Sequence, residues 1–438
     1  MNIDERFSSI GINIPHIILP SKNIDLQKWA VIACDQFTQD AAYWEKAAAL
    51  TEGHPSTLNI IYPEIYLNQS DRAKRITRIH ENMRRYLENM FMPDAILNPP
   101  RRAGAFIERD TPHGTRRGLL LSVDLEKYDW SADAKSLIRA TEGTVPERLP
   151  PRMEIRRGAF LELPHILLLV NDNENMLMPL LEKLLAKAPL AYDTPLMMDG
   201  GSVRSKLLYR KNDWDLVADV FEHFARSSIN QFNSDEPFLF AVGDGNHSLA
   251  AAKAVWEEYK AGHPGQENLD KHPARYAMAE VVNLYDSAIV FEPIHRIVFN
   301  TSADDMLERF KKLPCFSMRE LNSKEELKKA VSDPNAAENH CGIVSGERRV
   351  LIKYTGSKSV IMDIDPLLEN LEIDYIHGDQ ELFRLAEPSS SAGIMLPPFN
   401  KNGLFETIAK TGPLPRKSFS MGDAREKRFY LESRQLFS

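Results

Sequence analysis

FLFAVGDGNHSLAAAKAVWEEYK, residues 238–260, is the stretch around which the rest of the chain is arranged. The apolar run Phe238–Val242 reads as a buried strand. Gly243-Asp244-Gly245-Asn246-His247-Ser248 is a polar turn with two glycines. Leu249, Ala252, Trp256 and Tyr259 then recur at steps of three, four and three, one face of a helix. A strand therefore delivers an Asp, a His and a Ser to the start of a helix. Free backbone N–H groups and the positive end of the helix dipole collect there, and an anion can sit on them. Asp, Asn and Ser are also ordinary helix-capping residues, and Asp-Gly is an ordinary turn. Spacing alone leaves both readings open.

The whole chain sets wider bounds. Its 438 residues suit two domains, or one large core with an appendage. A net charge of −8 gives no general surface for nucleic acid or anionic membrane. No apolar run nears the ~20 residues that span a bilayer. MNIDERFSSIGINIP lacks a basic segment followed by an apolar one, so no signal peptide is expected. Cys34, Cys315 and Cys341 are scattered and odd in number, against a disulfide framework; a cytoplasmic protein is expected.

Flanking elements follow from pattern. Ala30–Ala33 reads as a strand ending at Cys34-Asp35. Cys34 has no cationic neighbour to activate it and reads as a small buried hydrophobe. Ser70–Phe91 is an amphipathic helix with Ile76, Ile79, Met83, Leu87 and Met90 on one face. Segments 103–108 and 118–123 form a hairpin. The stretch 138–157 reads as a proline-stiffened loop holding Arg139, Glu142, Glu147, Arg148 and Arg152. Acid and guanidinium groups together suit phosphate or carboxylate chemistry, or simply a salt-bridged surface. Strands are expected at 166–170, 203–209, 276–283, 288–291, 342–344, 350–354 and 359–364, and helices at 176–187, 215–226, 301–313, 323–331 and 402–410. Gly346-Glu-Arg-Arg349 joins two strands and reads as a hairpin turn.

Several short motifs then carry a resemblance. Asp-Gly-Asn-His-Ser, 244–248, resembles the D-G-H-H-R turn of the DUF1015 family. Arg139, Glu142 and Thr144 resemble that family's R-H-E-x-T segment. Pro293-Ile-His295-Arg296-Ile-Val298 resembles L-P-T-H-R-L-V, and Pro415, Lys417, Ser418 and Phe419 match M-P-P-K-S-T-Y-F. These matches run from Asp35 to Ser418. MGDAREKRFYLES, 421–433, departs from the pattern. More distantly the turn is similar to that of ParB/sulfiredoxin-like folds, including free serine kinases.

The resemblance implies an α/β, mixed α+β, fold: a ParB/sulfiredoxin-like core over 1–298 and a smaller α+β segment over 299–438, with the tail 411–420 folding back. It implies a phosphotransferase, a kinase using magnesium and a nucleoside di- or triphosphate on a small hydroxylated metabolite. Asp244 would hold Mg²⁺ and Glu142 would take the hydroxyl proton, with His247 beside them. Gly243, Gly245, Asn246, Ser248, Arg139, Arg152, His295, Arg296, Lys417 and Ser418 would bind the nucleotide. Ser248 stands where the family has Arg, so arginines of the 148–157 loop or Arg296 would clamp phosphate instead. Sulfiredoxin chemistry is excluded, because its cysteine falls at Asn246. Two readings stay beside this one: a nucleotide- or metabolite-binding regulator without rapid chemistry, and a metal-dependent hydrolase. The expected partners are a small substrate and a nucleotide, with no nucleic acid and no membrane. Oligomeric state is left open.

Overall fold

The computed structural model describes residues 2–89, 102–333, 336, 339–356 and 359–437. Expected positions Met90 and Phe91 of the amphipathic helix lie outside them. The described helix is Arg72–Asn89, with Ile79, Met83 and Tyr86 buried.

The chain is a mixed α/β protein and divides into two compact units. The first holds residues 1–289, 405–413 and 423–438; the second holds 290–404 and 414–422. In the first unit, strands β1 (Ile12–Asn13), β2 (Gly104–Thr111), β3 (Gly114–Asp124), β4 (Tyr128–Asp129) and β5 (Ile138–Ala140) are followed by β6 (Leu161–Glu162), β7 (Ile166–Val170), β8 (Leu190–Pro195), β9 (Ser202–Leu208), β10 (Phe240–Asp244) and β11 (Tyr276–Asn283). All but β6 join one sheet in the order β4-β5-β10-β7-β11-β3-β2-β9-β8, with β1 beside β3. β10 is parallel to β5 and antiparallel to β7. It is central in the sheet, and its successive apolar residues, which point to opposite faces, are all buried. That is why Phe238–Val242 shows a continuous apolar run rather than alternation.

Helices close over this sheet. Lys211–Phe232 buries Trp214, Val217, Phe221 and Phe224. Asn246–Gly262 buries Leu249, Ala252 and Trp256 on the face that the spacing predicts. Buried Trp256, past the middle of this helix, donates from Nε1 to Glu126, in the short turn Leu125–Lys127 after β3, at 2.7 Å.

The last stretch of the first unit lies along its N-terminal segment. Ala33 N donates to Arg428 O, and Tyr430 N to Val31 O. Ile18 and Ser433 also exchange backbone hydrogen bonds. The short strand β19 (Arg434–Gln435) pairs with β6.

The second unit is α+β. Its strands are β12 (Phe291–Val298), β13 (Ser317–Glu320), β14 (Asn339–Ser345), β15 (Arg348–Tyr354), β16 (Ile373–His377), β17 (Ala392–Met395) and β18 (Phe419–Met421). They form an antiparallel sheet in the order β13-β15-β14-β17-β12-β16, with β18 on the first part of β12. Gly346-Glu347 is the turn joining β14 to β15, as expected.

Four local expectations are corrected. Segment 359–364 is the helix Val360–Ile364 rather than a strand, because Ile361 and Ile364, three apart, are its buried positions. Within 138–157 lie strand β5 and the helix Leu149–Arg156. Its prolines, Pro150 and Pro151, fall in the first turn, where no intrahelical N–H is needed. Ala30–Ala33 makes one bridge, Ile32 to Phe429, rather than a strand. The strand expected at 288–291 begins at Phe291 and runs to Val298, with Pro293 where β12 pairs only with β18. Among the described residues no helix is long and apolar enough to cross a membrane.

Candidate functional site

The first unit gathers polar side chains where β10 ends. Register explains how. Val242 pairs with Ala140 in the parallel β5, so Asp244 and Glu142 each lie two residues past a paired position, at the same sheet edge. Asp244 pairs with Leu167 in the antiparallel β7, so His165, just before β7, reaches that edge too.

Gly245 makes the turn. Its φ is +82°, and a Cβ there would lie 3.0 Å from Ile166 Cγ1 and 3.2 Å from Ile166 Cα. Both the left-handed backbone and the close approach to β7 demand glycine. Gly245→Ala is expected to lower stability by at least ~1–2 kcal/mol from the backbone conformation alone. Thermal melting checks this; an unchanged midpoint would show that the turn tolerates a side chain.

Asp244 is not a helix cap. The N-cap is Gly245, and no side chain caps this helix. Asp244 Oδ1 instead accepts from Gly245 N at 2.9 Å, and Oδ2 lies 3.1 Å from Lys427 Nζ. Lys427 is buried. In the helix's first turn, His247 Nε2 accepts from Val145 N at 3.3 Å. Asn246 Nδ2 reaches Val242 O at 3.4 Å, while its Oδ1 is buried with no hydrogen-bond partner.

Ser248 opens a chain of hydrogen bonds. Its Oγ lies 2.8 Å from His165 Nε2, and His165 Nδ1 lies 2.9 Å from the Tyr430 hydroxyl. That hydroxyl accepts from Cys34 N at 3.1 Å. Asp35 Oδ2 is 4.0 Å from His165 Nε2. Glu64 ion-pairs with Arg152, and its backbone N–H donates to Cys34 O at 2.8 Å. Burial, Asp35 and Glu64 push the Cys34 thiol well up, so it stays protonated and inert. Burial likewise pushes Tyr430 up, and Glu64 is raised by burial against the pull of Arg152.

Thus the structure brings Gly243, Asp244, Gly245, Asn246, His247, Ser248 and Glu142 to one edge. Arg139, one residue past Ile138 in β5, is buried with its guanidinium on the carbonyls of Ser136 and Lys135 and 4.4 Å above the Phe238 ring. Burial lowers its pKa. Arg152 is turned onto Glu64. The remaining four expected residues belong to the second unit. His295 Nε2 bonds Asp379 at 2.9 Å and its Nδ1 accepts from Leu396 N. Its bond holds the Asp379 carboxyl down at about 2. Arg296 is fully buried on Asp365 and on the Lys417 carbonyl. Ser418 Oγ donates to Pro415 O.

His165, Lys427 and Tyr430 were missed from sequence. His165 sits alone before an apolar strand. Lys427 and Tyr430 lie in the stretch that departs from the family pattern, and no local spacing ties either to residue 244.

The first unit is thus a mixed α/β fold with charged and hydroxyl side chains at the ends of β5 and β10, beside a helix N-terminus. Residues 18–373 match the family described as "Protein of unknown function (DUF1015)", and the chain belongs to that family. None of the curated proteins matches it in sequence. Among solved structures, a free serine kinase in complex with AMP is similar at 13% identity and a TM-score of 0.35, over 72% of this chain and 91% of that one. SbnI from Staphylococcus aureus, truncated at its C-terminus, is similar at 9% identity and 0.34, over 73% and 83%. A conserved hypothetical protein from Pyrococcus furiosus gives 12% and 0.33, over 73% and 97%. Superposition this loose says nothing about what this chain binds.

Proposed function

We propose that this protein is a nucleotide-using phosphotransferase that acts on a small hydroxylated metabolite. The observation that carries the reading is the Asp244–Lys427 pair at 3.1 Å, beside the N-terminus of the helix Asn246–Gly262. A carboxylate alone at that place would repel phosphate. A carboxylate and an ammonium together neutralise each other without ligand, and can separate onto a magnesium ion and a phosphate oxygen when both arrive.

The residues fit a metal that comes with its nucleotide. Among the described residues no group of three or more His, Cys, Asp or Glu stands ready to hold a metal ion. A single carboxylate suits Mg²⁺, which keeps water and phosphate oxygens as its other ligands. Asp244 would hold it, and it would supply charge neutralisation at the transferred phosphate. The same absence leaves the hydrolase reading without a ligand set among the described residues.

The chain's own groups divide the remaining work. Lys427 and the first N–H groups of the helix would orient phosphate oxygens. Glu142 would accept the substrate hydroxyl proton. His165, held between Ser248 and Tyr430, would fix the Ser248 hydroxyl toward a bound phosphate.

Thermal shift against ATP, ADP, CTP and pyrophosphate, with and without Mg²⁺, tests binding. A ligand at ~100 times its dissociation constant should add ~2.7 kcal/mol. Turnover separates enzyme from regulator. Glu142→Gln should lower the rate ~10²–10⁴-fold with nucleotide binding retained. Tight binding by the wild type with no phosphorylated product from a panel of hydroxylated metabolites would favour the regulator.

A further inference from the structure

Beside the Asp244–Lys427 ion pair stands a hydroxyl on an oriented histidine. Ser248 Oγ lies 2.8 Å from His165 Nε2, and His165 Nδ1 lies 2.9 Å from the Tyr430 hydroxyl. A hydroxyl within reach of a base that a third group orients is the arrangement of an activated nucleophile. The direction of the bonds suits that role. The Tyr430 hydroxyl accepts from Cys34 N and gives its own proton to the Cys34 sulfur, a bond that lowers the thiol pKa against its burial. From His165 it can therefore only accept, which puts the ring proton on Nδ1. The Nε2 lone pair then faces Ser248, and the serine hydroxyl donates to it. Asp35 Oδ2, 4.0 Å from Nε2, favours the imidazolium that forms when His165 takes a proton.

The sheet and the tail both tie this pair to Asp244. Asp244 sits opposite Leu167 across β10 and β7, and His165 lies two positions before Leu167. Diagonal cross-strand neighbours of this kind share a face at ~7–8 Å. The tail bonds both strands at once, Lys427 to Asp244 and Tyr430 to His165. Ser248 is the third residue of the helix Asn246–Gly262, in the first turn, where the dipole favours phosphate. It is half-buried, so a ligand can reach it.

We propose that Ser248 is the first acceptor of the transferred phosphoryl group, so that transfer runs through a phosphoserine. This rests on the phosphotransferase reading of Asp244 and Lys427. Ser248 Oγ attacks the terminal phosphorus of the nucleotide, and its proton passes to His165 Nε2. The Oγ–P bond forms as the bond from that phosphorus to its bridging oxygen breaks. The electron pair leaves with the nucleotide, now one phosphate shorter. The metabolite hydroxyl then attacks the phosphoserine and gives its proton to Glu142. Ser248 Oγ leaves with the proton that His165 returns.

Isotope exchange on the full chain tests this with no metabolite present. ATP, ADP and CTP are each supplied with Mg²⁺ and the radiolabelled nucleotide one phosphate shorter. With the nucleotide that stabilises it, the wild type should carry label from the shorter nucleotide into the longer one. Its intact mass should rise by one phosphoryl group, mapped to Ser248. Ser248→Ala should lose both signals and keep the Mg²⁺-dependent thermal shift with that nucleotide. His165→Gln should slow phosphoserine formation ~10²–10⁴-fold and keep the shift as well. A wild type that a nucleotide stabilises, yet that shows neither exchange nor phosphoserine, would overturn the intermediate and leave the phosphotransferase reading standing. So would exchange that survives in Ser248→Ala. A wild type that none of the three nucleotides stabilises would overturn both.

Discussion

Asp244→Asn is expected to abolish magnesium-dependent nucleotide binding while the protein stays folded. The carboxylate has two partners, Gly245 N and Lys427 Nζ. An asparagine oxygen can still accept from either one. Lys427 is buried and loses its counter-charge, so the apo protein should melt somewhat lower, at a cost of ~1–3 kcal/mol. A capping role would predict almost no change, since Asn caps as well as Asp. The structure already removes that role, because Gly245 is the N-cap. Loss of the metal ligand would leave any residual nucleotide affinity independent of Mg²⁺. Thermal shift with and without Mg²⁺ reads this directly. Wild-type-like, metal-dependent stabilisation of the variant would defeat the assignment of Asp244 to the metal.

The second large effect concerns how the tail is held. Arg428 is buried between Glu280 and Glu432, and its Nε donates to Pro164 O at 2.8 Å. Glu432 also takes the hydroxyl of buried Tyr192. Burial alone would lower the Arg428 pKa, but the two glutamates outweigh it and hold it above its ordinary value. Arg428→Met removes the cation and leaves two buried carboxylates, with Arg116 Nε at 3.8 Å from Glu280 as a weaker partner. The expected loss is ~3–5 kcal/mol, or roughly 5–15 °C in melting temperature. The pH dependence has a definite sign. Carboxylates stranded in the folded state have raised pKa values. The penalty should therefore be small near pH ~4, where both states are protonated, and should grow as pH rises above it. Lys427→Met is the companion variant. It takes the cation from the site without touching this anchor, so it should cost ligand binding with much less loss of stability. An Arg428→Met midpoint within 2 °C of wild type at pH 7 would show that the network does not hold the tail.

These two cases show where sequence reasoning reached and where it stopped. Strand β10, its Asp-Gly turn and the helix after it were legible, because their signals are local. A buried central strand needs a continuous apolar run, a sharp turn needs glycine, and a half-buried helix needs apolar residues three and four apart. Glu142 could be linked to Asp244 only through a family resemblance. The parallel register of β5 on β10 gives that link a physical basis. The proline-rich segment 149–156 was misread because prolines break helices in the interior but not in the first turn.

The sequence by itself determined the α/β character, the Asp-Gly turn between strand and helix, and the DUF1015 resemblance, each from residues close together in the chain. The tertiary structure alone decided which distant groups meet that turn. His165 comes from just before an antiparallel neighbour, and Lys427 and Tyr430 from a tail pinned by buried ion pairs. No periodicity within the tail encodes that meeting. It arises when Arg428 finds Glu280, 148 residues away, and backbone hydrogen bonds lay the tail along residues 18–33. Pairings across such distances depend on the folded surface as a whole, and so they become visible only in three dimensions.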